Sequence, residues 1–268
     1  MSENILDKII RNKIKKIDIL KKSISADSLK NKINRNKSFI NFKEKIENNI
    51  SNNKISIIAE IKKASPSAGV IIENYNPINI AVIYNNNNAT CLSVLTEEDF
   101  FLGKLEYIAD IKKKFQIPIL CKDFFIDPFQ IALAKSFGAD CILIILSAVD
   151  DILAKDLYQA ANQLNISTIV EIHSTKEAEK ALSFEDSLIG INNRNLDTLK
   201  VSLNTTKELV KIVDNHKNPL ICESGINSVT DIEEVIESSG IYNFLIGESL
   251  LKSSNIPKKL KELTQISL

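Results

Sequence analysis

The sequence predicts a single closed (β/α)8 barrel, of the TIM type, with an N-terminal helical extension. Three observations carry that prediction. First, eight short apolar runs recur along the chain: ISIIAEI (55–61), ATCLSVLT (89–96), IPILCKD (117–123), DCILIIL (140–146), STIVEIH (167–173), SLIGINN (187–193), NPLICES (218–224) and NFLIGES (243–249). Second, helical patterns separate them, such as LGKLEYIADIKKKF (102–115), PFQIALAKSFG (128–138) and VTDIEEVIE (229–237). Runs buried on both faces and joined by helical crossovers imply a parallel sheet. Eight such units within 268 residues favour closure over an open sheet. Third, no G-x-G-x-x-G follows the first run, which argues against a dinucleotide-binding sheet.

Residues 1–50 read as helices with a basic, solvated face and a partial apolar stripe of Ile5, Ile9, Ile10 and Ile17. The expected layout is therefore one structural domain: a helical extension (1–50) packed on a barrel (51–268). Punctuation agrees. Asp127 and Pro128 read as an N-cap followed by proline at the first helical position. Gly138 reads as a helix-ending C′ residue. The tract Asn85–Asn88 falls where the first barrel helix should end, and asparagine tolerates the left-handed conformation a loop there needs.

Lys+Arg and Asp+Glu balance at 34 each, so the chain has no general attraction to nucleic acid or an anionic membrane. Any anion must be held by a local site. The first twenty residues lack the apolar core of a signal peptide, and CILIILSAV (141–149) is too short to span a bilayer. The expected location is cytoplasmic. Cys91, Cys121, Cys141 and Cys222 form no C-x-x-C pair and lie in apolar runs, so they read as buried thiols of a reducing compartment. Only two histidines occur, so no metal site is expected.

In a parallel barrel, catalytic groups collect at the C-terminal ends of the strands. The first run ends in Glu60 and Lys62, then Ser65; the second ends at Thr96; the third at Lys122 and Asp123. The fifth ends at Glu171 and His173, and the sixth at Asn192, Asn193 and Arg194. The seventh ends at Glu223, Ser224 and Gly225, and the eighth at Gly247 and Glu248. Lysine and glutamate are rarely buried without a partner. A structural ion pair accounts for any one of them. The recurrence of Glu60, Lys62, Lys122, Glu171 and Glu223 at one end of successive strands points to a reaction site. Strand parity places Glu60 and Lys62 on one face and Lys63 on the other; Asn192 and Arg194 share a face. The turns ESGI (223–226) and IGES (246–249) stand where barrels bind phosphate through backbone N–H groups and a short helix N-terminus. Ser224, Gly225, Gly247 and Glu248 are the phosphate candidates. His173 reads as a locally hydrogen-bonded strand-end residue, and Asp123 and Asp127 as helix caps or rim partners.

Six segments together resemble the indole-3-glycerol-phosphate synthase family: IIAEIKKASPS (57–67), LSVLTEEDFFLG (92–103), PILCKDFFIDPFQI (118–131), VEIH (170–173), GINNRNL (190–196) and ESGI (223–226). The likeness covers about residues 4–265, and ILDKIIRNKIKKI (5–17) resembles the family's extra helix before the barrel. It implies conversion of 1-(o-carboxyphenylamino)-1-deoxyribulose 5-phosphate to indole-3-glycerol phosphate, CO2 and water, without metal or organic cofactor. By resemblance, Lys122 is the general acid at the keto oxygen and Glu171 the base of the later dehydration. Lys62 would pair with the substrate carboxylate and share in proton donation. Glu60 and Glu223 would orient the lysines and keep them charged, Asn192 would hydrogen-bond the reacting oxygens, and Arg194 would support the anthranilate side. Ser65 and Phe124 would contact the substrate; a turn-forming serine and ordinary barrel–helix packing are the plain alternatives for these two. Glu248 stands where some relatives carry serine, and its side chain would have to avoid the phosphate. The implied partner is a phosphorylated small molecule, with no nucleic acid and no membrane. A monomer is expected, with association with other tryptophan-pathway enzymes left open. The chain ends about where the eighth helix should, so no second catalytic domain is expected. Two other readings stay open on the residues alone. One is another phosphate-sugar barrel enzyme, an isomerase or a Schiff-base aldolase using Lys122. The other is a barrel that binds such a ligand without turnover.

Overall fold

The computed structural model describes residues 4–36 and 39–266. The expectations for residues 1–3, 37–38 and 267–268 fall outside these. Eight parallel strands close into a barrel: β1 (Ser56–Ile61), β2 (Cys91–Leu95), β3 (Ile119–Lys122), β4 (Cys141–Ile145), β5 (Ser167–Ile172), β6 (Leu188–Asn192), β7 (Leu220–Glu223) and β8 (Asn243–Ile246). Neighbours in the ring are neighbours in sequence, and β8 pairs β1 to close it. Every strand lies inside its predicted apolar run. The eighth run overshoots: Gly247 leaves the strand and precedes a short helix, Glu248–Leu251. One element was not expected, a two-residue hairpin pairing Ala64–Ser65 with Gly69–Val70 above β1.

The alternation of strand side chains separates two cores. One side packs on the surrounding helices, with Ile57, Ile61, Leu92, Ile119, Ile142, Val170, Ile189 and Phe244 among its members. The other fills the barrel, with Ile58, Leu120, Leu143, Ile169, Leu188, Ile221 and Leu245. Continuing along the inner face, two residues at a time, leads from Ile58 to Glu60 and Lys62. The same step leads from Leu120 to Lys122, from Ile169 to Glu171 and His173, and from Ile221 to Glu223. The barrel interior is thus apolar through its middle, above the buried Ser56 and Asn243 at the base, and ionisable at its C-terminal mouth.

The described residues before the barrel form three helices: α1 (Ile5–Ser23), α2 (Ala26–Arg35) and α3 (Phe42–Ser51). Phe42 and Ile46 of α3 are fully buried against the barrel's inner core. α1 lies across the mouth. Ile9 and Ile17 of its stripe are buried, and its cations reach the loops after β2 and β3. Lys13 pairs Asp123 at 2.6 Å, Lys16 pairs Glu98 and Asp99 at 2.7 Å, and Lys21 pairs Asp127 at 2.7 Å.

Local punctuation follows the sequence. Asp127 caps the helix Pro128–Ser136 with a capping box and proline in its first turn. Gly138 has φ +99°, and Asn88 takes the left-handed φ of 64° just beyond the helix Pro77–Asn86. The four cysteines are buried and unpaired with one another. Among the described residues no helix is long and apolar enough to cross a membrane, and no group of His, Cys, Asp and Glu is placed to hold a metal ion.

Candidate active site

A cavity of about 900 Å³ opens at the C-terminal mouth. Glu60, Lys62, Ser65, Lys122, Phe124, Glu171, Asn192, Arg194, Ser224, Gly225, Gly247 and Glu248 line it. Of the thirteen predicted site residues, Glu223 alone stands behind the lining, fully buried.

Lys122 is the hub. Its Nζ is 2.6 Å from Glu223 Oε2 and 3.6 Å from Glu171 Oε2. Burial alone would lower the ammonium's pKa, but the charges of Glu223, Glu171 and Glu60 outweigh it and hold the pKa above its ordinary value. The two carboxylates diverge. Burial pushes both up. For Glu171, Lys122 and His173 reverse the shift and hold it below the usual carboxylate range. For Glu223, burial and the nearby Glu171 charge win over Lys122, and it is raised. Such divergence within one cluster is the pattern of acid–base sites. Glu171 Oε2 has no hydrogen-bond partner among the described residues, so a buried acceptor stands at the cavity wall, 3.6 Å from the Lys122 ammonium.

Glu60 and Lys62 form a second pair, 2.6 Å apart. Burial opposes ionisation of Glu60, but Lys62 and then Lys122 lower its pKa. Two glycines make room for these carboxylates. A Cβ at Gly190 would fall 2.1 Å from Glu223 Oε1, and one at Gly247 would fall 2.4 Å from Glu60 Oε1.

Asn192 Oδ1 accepts from Ser224 Oγ at 2.9 Å and from the Arg194 backbone N–H at 3.0 Å. Its carbonyl is thereby spent on holding the β6 and β7 ends together, and the amide N–H groups remain for a ligand. Arg194 donates to Leu199 O at 3.1 Å and Ser67 Oγ at 3.4 Å, and lies 3.5 Å from Glu248. Glu248 also pairs Lys252 at 2.6 Å. Its carboxylate is thus engaged by two cations. Ser65 is buried and accepts from the Ala68 N–H at 3.2 Å, a turn contact, while also facing the cavity. Ser224 (φ +64°) and Gly225 (φ +95°) turn the chain sharply after β7.

The cavity has an apolar side built from residues away from the strand ends. Ile5, Leu6 and Ile9 of α1 reach it, as do Phe101 and Leu196. Phe101 and Phe124 stand 6.2 Å apart between ring centroids. The α1 stripe was visible in the sequence, but not which end of the barrel it covers. Phe101 is presented by Glu97, which is buried and accepts from the N–H groups of Asp99, Phe100 and Phe101. His173 does not line the cavity. It contacts Glu171 at 3.2 Å and Glu177 at 3.3 Å, both local in sequence. Asp123 and Asp127 are a rim partner and a helix cap, respectively.

A parallel barrel with lysines held among buried carboxylates at its C-terminal mouth, and glycine turns after its last two strands, defines a (β/α)8-barrel enzyme. The family model for indole-3-glycerol phosphate synthase matches residues 6–263, and the chain belongs to that family. It is thereby a carbon–carbon lyase of tryptophan biosynthesis. The indole-3-glycerol phosphate synthase of Legionella pneumophila (strain Paris) is 42% identical over 261 residues, covering 97% of this chain and 98% of that protein. The tryptophan biosynthesis protein TrpCF of Buchnera aphidicola subsp. Schizaphis graminum is 41% identical over 98% of this chain but only 56% of its own length. A solved tryptophan synthase alpha-subunit from Pyrococcus furiosus shares the fold, with a TM-score of 0.60, 14% identity, and coverage of 78% of this chain and 98% of that one.

Proposed function

We propose that this chain closes the pyrrole ring of 1-(o-carboxyphenylamino)-1-deoxyribulose 5-phosphate with Lys122 as general acid and Glu171 as general base. The observation that carries the reading is Lys122 within reach of two carboxylates whose protonation tendencies differ. Lys122 protonates the keto oxygen, and the aromatic carbon bearing the carboxylate attacks the activated carbon. Departure of CO2 restores the ring's aromaticity. Glu171 then takes a proton as the hydroxyl leaves as water. Lys62 pairs with the substrate carboxylate and shares in proton donation, with Glu60 holding it charged. Glu223 orients Lys122. Asn192 offers its amide to the reacting oxygens, and Arg194 supports the anthranilate side.

The aromatic ring fits the apolar side of the cavity, against Phe124, with Ser65 beside it. The phosphate fits the turns after β7 and β8, at Ser224, Gly225, Gly247 and Glu248. The first N–H groups of a helix lack intrahelical partners and suit an anion. Glu248 takes part through its backbone, since Arg194 and Lys252 engage its carboxylate. The helices before residue 51 and the barrel act as one structural domain. The reading includes a monomeric, cytoplasmic enzyme that needs no metal or organic cofactor.

The test is appearance of indole fluorescence when the purified chain meets this substrate in the presence of EDTA. Product formation supports the reading. Binding without product favours a ligand-binding barrel, and a covalent adduct trapped by borohydride favours a Schiff-base enzyme.

A further inference from the structure

His173 is the best-placed charged group outside the cavity wall. It ends the inner face of β5, two residues beyond Glu171, with its side chain only 10% exposed. Its Nε2 lies 3.2 Å from Glu171 Oε1, and its Nδ1 lies 3.3 Å from Glu177 Oε2. Glu177 is itself fixed. It accepts from the His173 backbone N–H at 2.8 Å and from Ser174 Oγ at 2.9 Å, in the first turn of the helix Thr175–Ala181. A carboxylate, an imidazole and a second carboxylate therefore stand in line from the helix to the cavity. The imidazolium thus meets Glu171 on its Oε1 side as an ion-pair contact outside hydrogen-bond geometry, while Oε2 is a buried atom without a hydrogen-bond partner among the described residues.

We propose that His173, anchored by Glu177, is a positioning residue that orients Glu171 and keeps it ionised for proton abstraction. The inference rests on Glu171 being the reaction's base. Because His173 does not line the cavity, it acts through Glu171 and not on substrate.

The electrostatics agree. Burial would lower the imidazole's pKa, but the carboxylates of Glu171 and Glu177 on either side of the ring raise it to about 9. Around Glu171 the other charges are Lys122 of β3, Glu223 of β7 and Glu60 of β1. Lys122 is already committed to Glu223 at 2.6 Å, a full ångström closer than to Glu171. Removing the imidazolium leaves Glu171 buried with only that shared cation, so its pKa must rise.

The experiment compares pH profiles of kcat and kcat/KM for the full chain and the variants H173Q, E177Q and E171Q. Glutamine at 173 keeps a donor without charge, and glutamine at 177 keeps an acceptor without charge. Expected for H173Q is an acidic limb of kcat/KM displaced upward by about one pH unit, with kcat down roughly tenfold and KM within about threefold. E177Q should move the limb the same way by less. The chain has two histidines, so imidazole nitrogen NMR resolves His173 by comparison with H173Q. It should remain protonated through about pH 8 in the parent protein and titrate lower in E171Q. An H173Q profile superimposable on the parent's, or a lowered rate with an unmoved limb, overturns the inference. If E171Q itself keeps the parent kcat, the base assignment fails instead, and the two failures are distinguishable.

Discussion

Lys122 Nζ and Glu223 Oε2 lie 2.6 Å apart although their strands, β3 and β7, face each other across the ring. The contact spans 101 residues of sequence and exists only because the barrel closes. Eight strands give an interior just wide enough for side chains to fill, so two long side chains from opposite walls meet at its centre. The arrangement sets a physical conflict. The carboxylates that keep Lys122 charged also oppose the loss of its proton. Substrate must weaken that hold before Lys122 can give up its proton.

Replacement of Lys122 by methionine removes the acid while keeping the stem. We expect kcat to fall by about 10²–10⁴ with the far-UV CD spectrum unchanged. A kcat near the parent value would remove Lys122 from the role of acid.

Glu171→Gln keeps the shape and hydrogen-bonding capacity of the side chain but cannot accept the proton. The loss should fall on a late step. Single-turnover experiments should show CO2 released faster than indole fluorescence appears, with substrate affinity little changed. A raised KM with unchanged kcat would make Glu171 a binding group.

Gly190→Ala tests the space behind the hub. The added Cβ would sit 2.1 Å from Glu223 Oε1 and 3.0 Å from Ile169 Cγ2. Both neighbours are buried, so Glu223 must swing away from Lys122 or the strand must shift. We expect destabilisation of about 1–3 kcal/mol and a loss of kcat larger than the loss of folded protein explains. Unchanged kcat together with unchanged denaturant midpoint would show that Glu223 relaxes freely.

Much of this was legible in the sequence. All eight strands announce themselves as apolar runs, and parity alone puts Glu60 beside Lys62. What parity cannot give is contact across the barrel: nothing local in LCKD or ICES shows that Lys122 reaches Glu223 rather than solvent. Gly190, inside the run LIGIN, is a sequence signal in its own right, since a strand glycine often marks close approach. Its reason, a carboxylate from the next strand, depends on register. The glycine at 247 was legible as a turn, but the eighth strand's end was not, because ESLL continues the apolar pattern into a helix.

His173 gives stability a pH slope. Its pKa rises from the usual value near 6.5 to about 9 on folding. A raised pKa contributes stability that is fully present below the unfolded value and is lost as pH climbs through the folded one. The contribution is of order 3 kcal/mol and should fade between those values. Urea midpoints measured across that window should fall more steeply for the parent than for H173Q. Parallel slopes would mean that the imidazole is neutral in the folded protein. Glu171 acts in the opposite direction, its lowered pKa supplying stability above the ordinary carboxylate range that acid removes.

Lys13→Met probes how α1 is held over the mouth. Lys13 lies on the helix's buried side, and its ammonium meets Asp123, which also accepts from Thr96 Oγ1 at 2.6 Å. Both ionic side chains are nearly covered, 9% and 12% exposed, so removing one strands the other. The expected loss is about 3 kcal/mol, or roughly 5–10 °C in Tm for a domain of this size. Lys16→Met removes a more exposed partner, 33% accessible, and should cost under about 1 kcal/mol. Because Ile5, Leu6 and Ile9 of the same helix line the cavity, Lys13→Met should also raise KM by several-fold. Lys16→Met should leave KM near the parent value. Equal effects of the two substitutions would mean that α1 is held by its apolar stripe alone, with the Lys13–Asp123 pair contributing no more than a surface contact.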